Sequence, residues 1–415
     1  VPSLPLGGPA PADGALPPAA VAALQGPEPF GYYVHVPFCY RRCGYCDFNT
    51  YVPSAGVDGQ EQMRRYVAAA ATEIDLSARV LAGPDKALRP VDTVFFGGGT
   101  PTMLAAEDIV TLLDAIRSRF GLVDGAEVTV EANPDTTSAE SLARLADAGV
   151  TRISVGMQSA VGHVLETLDR THTPDNVEAT IVAAKEAGLV TSLDLIYGTP
   201  GESLADWQVS LHAAIALEPD HISAYGLVIE EGTAMGAALR RGAVAPTDDD
   251  DEAAKYEMAD RVLAAAGYRW YEVSNWARNE VGRGRHNEGY WHDGHWWGVG
   301  PGAHSHIGGV RWWNVKYPAA YAAALEEGRS PAAAREVLDE EARVTEKIML
   351  GIRLAEGLPL SVLDSGFTAG PQVARQLSQE GLLRGDALAD AEPRAVLTDR
   401  GRLLADLVLR RMLGY

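Results

Sequence analysis

The chain has 415 residues, 47% of them apolar, enough for two or three domains around a large core. Its formal net charge of −21 argues against nonspecific nucleic-acid binding. No run approaches the roughly twenty apolar residues of a membrane span.

In chain order, residues 1–29 are rich in Pro, Ala and Gly and read as a disordered leader. They lack a basic stretch followed by an apolar one, so no secretory signal is expected. From about residue 30 to 235, strand-like runs (32–36, 93–96, 127–131, 152–155, 191–195 and 221–225) alternate with Ala-rich amphipathic stretches (60–81, 107–120, 138–148, 174–187 and 204–217). Such alternation predicts an α/β fold, a parallel sheet with helices outside. Six βα units are too few for a closed eight-stranded barrel, so an open, partial (β/α)6 barrel is expected. Polar and glycine residues gather at the strand ends, where barrels of this kind build their sites.

Straight after the first strand comes Cys39-Tyr-Arg-Arg-Cys43-Gly-Tyr-Cys46, which holds all three cysteines of the chain. Three thiolates on one loop can hold three irons of a [4Fe-4S] cube and leave the fourth iron open to a small ligand. A four-cysteine zinc site is excluded within one chain, and a disulfide framework is disfavoured. The bland alternative is three adjacent structural thiols, although buried cysteines usually scatter along a chain. An oxygen-sensitive cluster without disulfides points to reducing cytoplasm.

Residues 236–335 differ in character. Seven of the eight Trp lie between 270 and 313, and five of the ten His between 286 and 306. The acidic run 248–252 reads as a solvated loop or a helix start. A last segment, 336–415, reads as helices (345–354, 360–363, 372–380 and 400–413) with candidate strands at 382–383 and 395–397, a small winged-helix-like domain. The acidic balance turns its expected use from DNA binding to a lid or docking module.

Tyr33-Val-His-Val-Pro-Phe-Cys39, the cysteine loop and Asp47-Phe48-Asn49 together resemble the radical S-adenosylmethionine (SAM) proteins of the oxygen-independent coproporphyrinogen III oxidase superfamily, and most closely their haem-chaperone branch. The resemblance runs from about residue 32 to the C-terminus. It implies a radical SAM partial barrel, a [4Fe-4S] cluster on Cys39, Cys43 and Cys46, SAM at the open iron, and haem. Phe95-Phe-Gly-Gly-Gly-Thr-Pro-Thr102 is similar to the family's glycine motif. There Gly98, Gly99 and Thr100 would let backbone groups approach SAM, though a tight strand–helix turn needs the same residues. By the same resemblance Tyr33 lies against SAM, and Tyr45 marks the adenine neighbourhood. Glu131 and Gln158 are polar contacts, Arg170 is near the carboxylate, and Asp194 is near the ribose or amino group. Outside the resemblance, a carboxylate at a strand end is as readily a helix cap or an ion-pair partner.

Two features separate the chain from the decarboxylating oxidase. Phe48 stands where that enzyme has a further cysteine. His286-Asn-Glu-Gly-Tyr-Trp291 fits the H-N-x-x-Y-W signature of the haem-chaperone branch. His286 would bind haem iron, with Tyr290, Trp291, Trp296, Trp297, Trp312 and Trp313 as flat walls. From composition alone, His286 reads rather as a hydrogen-bonded core histidine, and the six-residue match turns the reading to haem ligation. His292, His295, His304 and His306 are weighed as zinc ligands, but no cysteine or clear carboxylate joins them. His304 and His306 are expected to line the cofactor cavity.

The expected partners are haem and haem-acceptor proteins, respiratory ones among the candidates. If SAM is cleaved, an electron donor such as flavodoxin or ferredoxin joins them; nucleic acid and membrane do not. The expected activity is that of a chaperone rather than a catalyst. The rival is a radical SAM enzyme, either a coproporphyrinogen III oxidase or a methyltransferase- or cyclopropanase-type relative, which needs reductive SAM cleavage.

Overall fold

Six runs rich in β-branched and aromatic residues become parallel strands: β1 (Phe30–Val36), β2 (Val91–Gly98), β3 (Leu122–Ala132), β4 (Arg152–Gln158), β5 (Val190–Tyr197) and β6 (His221–Gly226). They lie side by side in chain order in a computed structural model that describes residues 7–82 and 88–415. One set of alternating positions is apolar and almost fully enclosed: Tyr32, Val34 and Val36; Val94 and Phe96; Val128 and Val130; Ile153 and Val155; Leu193 and Leu195. Among the helices between the strands are Val57–Leu81 and Ala106–Phe120, whose own buried residues join this core. Tyr32 ties the first of them down through a 2.6 Å bond to Ser77. Capping boxes at Ser138, Thr173 and Ser203 start three of the helices, satisfying N–H groups that a helix leaves unpaired.

The other set of positions is polar. Glu127, Thr129 and Glu131 alternate on β3, Arg152 and Ser154 on β4, Ser192 and Asp194 on β5, His221, Ser223 and Tyr225 on β6, and all line one cavity. Closed barrels fill this space with Val, Ile and Leu. Here polar side chains leave it open.

Residues 236–335 are built into the same sheet, at both edges. Beyond β6 run β7 (Arg269–Glu272) and β8 (Asn275–Ala277), with β8 antiparallel to β6. Beyond β1 run β9 (His295–Val299), β10 (His304–Ile307), β11 (Val310–Asn314) and β12 (Ala332–Val337). β9 is parallel to β1, and the rest are antiparallel. The result is an open twelve-stranded sheet. The acidic run opens the helix Asp249–Ala265, where Asp248 accepts the Asp251 N–H.

The expected disordered leader is corrected over residues 7–29; residues 1–6 lie outside the described residues. Gly8 and Arg335 exchange backbone hydrogen bonds at 2.9 Å, covering the β12 edge. A short helix, Pro18–Ala23, buries Ala20, and Leu24 is buried just beyond it. The Arg89 guanidinium donates to the carbonyls of Leu24 and Gly26. A Pro/Ala-rich segment loses little side-chain entropy when it is laid down, so few contacts suffice.

The C-terminal helices Glu340–Gly351, Gln372–Gln379 and Ala405–Leu413 pack with a short antiparallel pair, Leu358–Pro359 and Arg394–Ala395. Their own core includes Ile348, Leu363, Leu377, Val408 and Met412. Arg402 docks this module to the barrel. It donates to both Asp260 oxygens at 3.1 and 2.6 Å and lies over the Trp270 ring at 4.5 Å.

Candidate functional site

The cavity at the C-terminal ends of β1–β6 measures about 900 Å³, at the upper end for small-molecule sites. Cys39, Cys43 and Cys46 all face it, unpaired and partly exposed. Burial pushes the Cys39 thiol up to about 11, against the Thr100 hydroxyl 3.7 Å away. Such a group waits for a metal rather than standing as a free thiolate. Among the described residues no three His, Cys, Asp or Glu converge on a single ion. A cube differs from an ion in taking its thiolates from around a space, and this loop provides three facing one cavity.

The loop is held at every side. Cys39 N–H donates to Tyr51, and Met235 N–H to Gly44, at 3.0 and 2.8 Å. Arg41 pairs with Asp169 at 2.6 Å. Asn49 reaches the carbonyls of Pro301 and Lys316 at 2.9 and 2.8 Å. Phe48 is exposed and sits on the cavity rim.

The glycine run does two jobs, and the N–H part of the ligand expectation needs correction. Gly98 N–H donates to Glu131 at 3.1 Å, Gly99 N–H to Val36 at 2.8 Å, and Thr100 N–H to Phe38 at 2.7 Å. All three donors are therefore spent inside the protein, two of them on the segment that leads into the cysteines and one on β3. Gly98 has φ +106°, and a Cβ there would run into the His35 ring; at Gly99 it would lie 2.5 Å from the Phe38 carbonyl. The turn fixes the cluster loop as well as flanking the cavity.

Glu131 and Asp194 face the cavity together. Burial, then the Asp194 charge, pushes Glu131 up to about 8, partly offset by the Gly98 N–H. Asp194 is also raised by burial, against bonds from Ser223 and Ser154 at 2.8 and 2.9 Å. Two crowded carboxyls favour a cationic ligand. Thr129 Oγ1 is buried with no hydrogen-bond partner among the described residues, and Glu131 Oε1 accepts from none of them. A ligand with an ammonium group and hydroxyls, such as SAM, fits these groups.

Gln158 has φ +60° and follows a register shift between β4 and β5. That kink swings its amide to within 2.8 Å of where a Gly156 Cβ would lie. Arg170 donates to the Gly156 carbonyl at 3.0 Å and lines the cavity beside it. Tyr45 lines the same space. Tyr33 does not: it bonds His35 Nδ1 at 2.9 Å and opens on a second cavity.

That second cavity, of about 350 Å³, is lined by Tyr33 of β1, by Tyr290 of the helix Arg285–Trp291 and by residues of β9–β11 and the C-terminal module. Glu127 caps the helix by accepting the N–H groups of Arg285 and His286, both at 3.0 Å. Asn287 lines the large cavity and Tyr290 the small one, so this helix borders both. His286 is inside the wall. Its Nδ1 meets Thr93 Oγ1 and its Nε2 meets the Tyr290 hydroxyl, both at 2.8 Å, and its ring stacks on Phe95 at 5.1 Å. Burial pushes its pKa down to about 3.

The expected aromatic walls divide. Trp296 faces the second cavity, whereas Trp297, Trp312 and Trp313 are buried core residues, a correction. Side chains of such size are drawn into the sheet's own packing. Of the remaining histidines, His292 bonds Glu356 at 3.0 Å, His295 bonds the Ala23 carbonyl, and both His304 and His306 line the second cavity. Sequence reasoning missed Glu127, Arg152, His221 and Asn287, which line the large cavity. For Glu127, Arg152 and His221 the signal was available as period-two polar residues in strands that otherwise read as buried.

The model of the radical SAM superfamily matches residues 33–214. The chain is 48% identical over 399 residues to heme chaperone HemW of Mycobacterium tuberculosis (strain CDC 1551 / Oshkosh), covering 95% of this chain and 97% of the relative. It is 34% identical to heme chaperone HemW of Bacillus subtilis, covering 92% and 98%. In fold it is similar to coproporphyrinogen III oxidase (HemN) of Escherichia coli, a radical SAM enzyme, with a TM-score of 0.79 at 23% identity over 97% of this chain and 95% of that one.

Proposed function

The chain belongs to the radical SAM superfamily, among the heme chaperone HemW proteins, and from that premise we propose that it binds haem and passes it to acceptor proteins. A [4Fe-4S] cluster and SAM are the cofactors of its family. Cys39, Cys43 and Cys46 would hold the cluster, which would supply an open iron for the amino and carboxylate groups of SAM. Gly98, Gly99 and Thr100 shape the approach. Glu131 and Asp194 offset the ligand's positive charge, Arg170 faces its carboxylate, Gln158 supplies an amide, and Tyr45 closes the adenine side. Tyr33 acts one step removed, by holding His35 against Gly98. His286 would hold haem iron through Nε2, the nitrogen now bonded to the Tyr290 hydroxyl.

One observation carries this reading. The helix bearing His286-Asn-Glu-Gly-Tyr-Trp291 borders both the cysteine cavity, through Asn287, and an aromatic one, through Tyr290, which supports a cluster site and a haem site next to each other. Phe48, in place of a further cysteine, speaks against the oxidase. The protein works in a reducing compartment with a haem-accepting partner; among the described residues no helix is long and apolar enough to cross a membrane.

Anaerobic reconstitution followed by haem titration tests the proposal. A cluster absorption together with a saturable Soret band supports it, and absence of the Soret band sinks it. Substrate-dependent 5′-deoxyadenosine formation with dithionite, accompanied by loss of carbon dioxide, would instead establish the oxidase reading.

A further inference from the structure

We infer that haem seats in the second cavity, with His304 as an iron ligand at its solvent side. This rests on the haem-binding reading above and adds to it a place and a second histidine. Tyr33, Tyr290 and Trp296 bring flat aromatic surfaces to the cavity, and Met349, from the C-terminal module, closes it with a thioether side chain. The lining is mostly apolar, as a porphyrin face requires. The volume of about 350 Å³ is less than a whole macrocycle needs, so the haem edge projects to solvent, where an acceptor can reach it.

His304 is suited to the metal. It is exposed, its ring nitrogens bond to none of the described residues, and stacking on Trp313 at 5.8 Å and 27° orients the ring. The other histidine of this cavity, His306, is buried with Nδ1 bound to the Gly294 carbonyl at 3.0 Å. Arg311 also lines the space. It pairs with Glu346 at 2.6 Å and with the half-exposed Glu336 at 2.7 Å, and a haem propionate can replace the latter without leaving the guanidinium unpaired. Tyr290 touches both sites, lining the cavity and holding His286 inside the wall.

The test is a haem titration of the cluster-loaded full chain, for the wild type, His304→Ala and Met349→Trp. His304 is exposed, so its loss leaves the fold intact; tryptophan at 349 fills the cavity. The expected result is a shifted Soret band and an affinity about tenfold lower for His304→Ala, a similar loss for Met349→Trp, and in both an unchanged cluster spectrum and melting curve. If Met349→Trp melts early, Leu350→Phe, from the same wall, replaces it. Wild-type haem affinity in His304→Ala overturns the ligand, and wild-type affinity in a folded cavity-filling variant overturns the place. A wild-type protein that binds no haem would refute the chaperone reading instead.

Discussion

The hydroxyl of Tyr290 lies 2.8 Å from Nε2 of His286, one turn back on the same short helix. With Thr93 on Nδ1, the imidazole is pinned at both ends. It is also neutral at any working pH, since burial holds its pKa near 3. Iron and Tyr290 therefore compete for one nitrogen. Tyr290→Phe keeps the aromatic wall and removes the competitor. A net hydrogen bond is worth about 1 kcal/mol, so haem should bind about fivefold tighter, measured by Soret titration. His286→Ala should weaken binding and alter the spin state. It should also cost about 2–4 kcal/mol in urea unfolding, because Thr93 and Tyr290 lose their partner in a buried site.

Cluster ligation should be all-or-none. Cys43→Ala leaves two irons without protein ligands, and iron content should fall together with the visible cluster absorption. Full iron occupancy in this variant would remove Cys43 from the ligand set.

Gly99→Val should damage the cluster and SAM binding together. The added Cβ meets the carbonyls of Phe38 and Val36 at 2.5 and 2.8 Å, both on the segment that leads into Cys39. Reconstituted iron and calorimetric SAM affinity should both drop. A variant with full iron and lost SAM binding would show that the turn serves the ligand alone.

Glu131 gives SAM binding a pH dependence. Its pKa rises from 4.5 to about 8 in the fold, so the folded chain holds a proton that the unfolded chain has lost between those values. Its contribution to apo-protein stability is greatest below the lower value and declines as pH rises through the upper one. A cationic ligand reverses the preference by favouring the ionised form. As pH rises towards ~8, SAM affinity should tighten by up to about tenfold per pH unit, and Glu131→Gln should flatten the profile. Equal slopes for the two proteins would place the titrating group elsewhere.

Arg402→Ala should loosen the C-terminal module. Asp260, which now accepts from both the guanidinium and Trp276, would keep its charge with only the indole as partner. Breaking one partner of such a partly buried pair costs about 3 kcal/mol. Limited proteolysis between 327 and 345 should speed up, and haem affinity should fall because Met349 and Leu350 close the second cavity. Cluster content should stay constant.

Much of this was legible. The six parallel strands stand in the alternation of β-branched runs with Ala-rich helices, and the cysteine loop in residue identity alone. Three things were not. The order of residues 7–29 depends on pairing Gly8 with Arg335, far along the chain, and no local pattern announces such a pair. The Trp/His-rich stretch looked like a separate unit because its composition changes, yet composition does not reveal that β9 closes against β1. His286 read as a ligand by motif and as core by composition, and its burial makes it a wall residue whose ligation requires Tyr290 to move.

The bonds from Asn49 to Pro301 and Lys316 span 252 and 267 residues of chain. A ribosome that has just released the three cysteines must therefore make most of the remaining protein before their loop can be locked, and such distant closures are slow. During that interval the thiols hang on an unfinished barrel, within reach of whatever delivers iron and sulfide. Once the segment carrying residues 301–316 docks, the far end of the loop is tied down. Cluster delivery is thus best matched to the nascent or newly released chain, and a chain that closes empty would be slower to load.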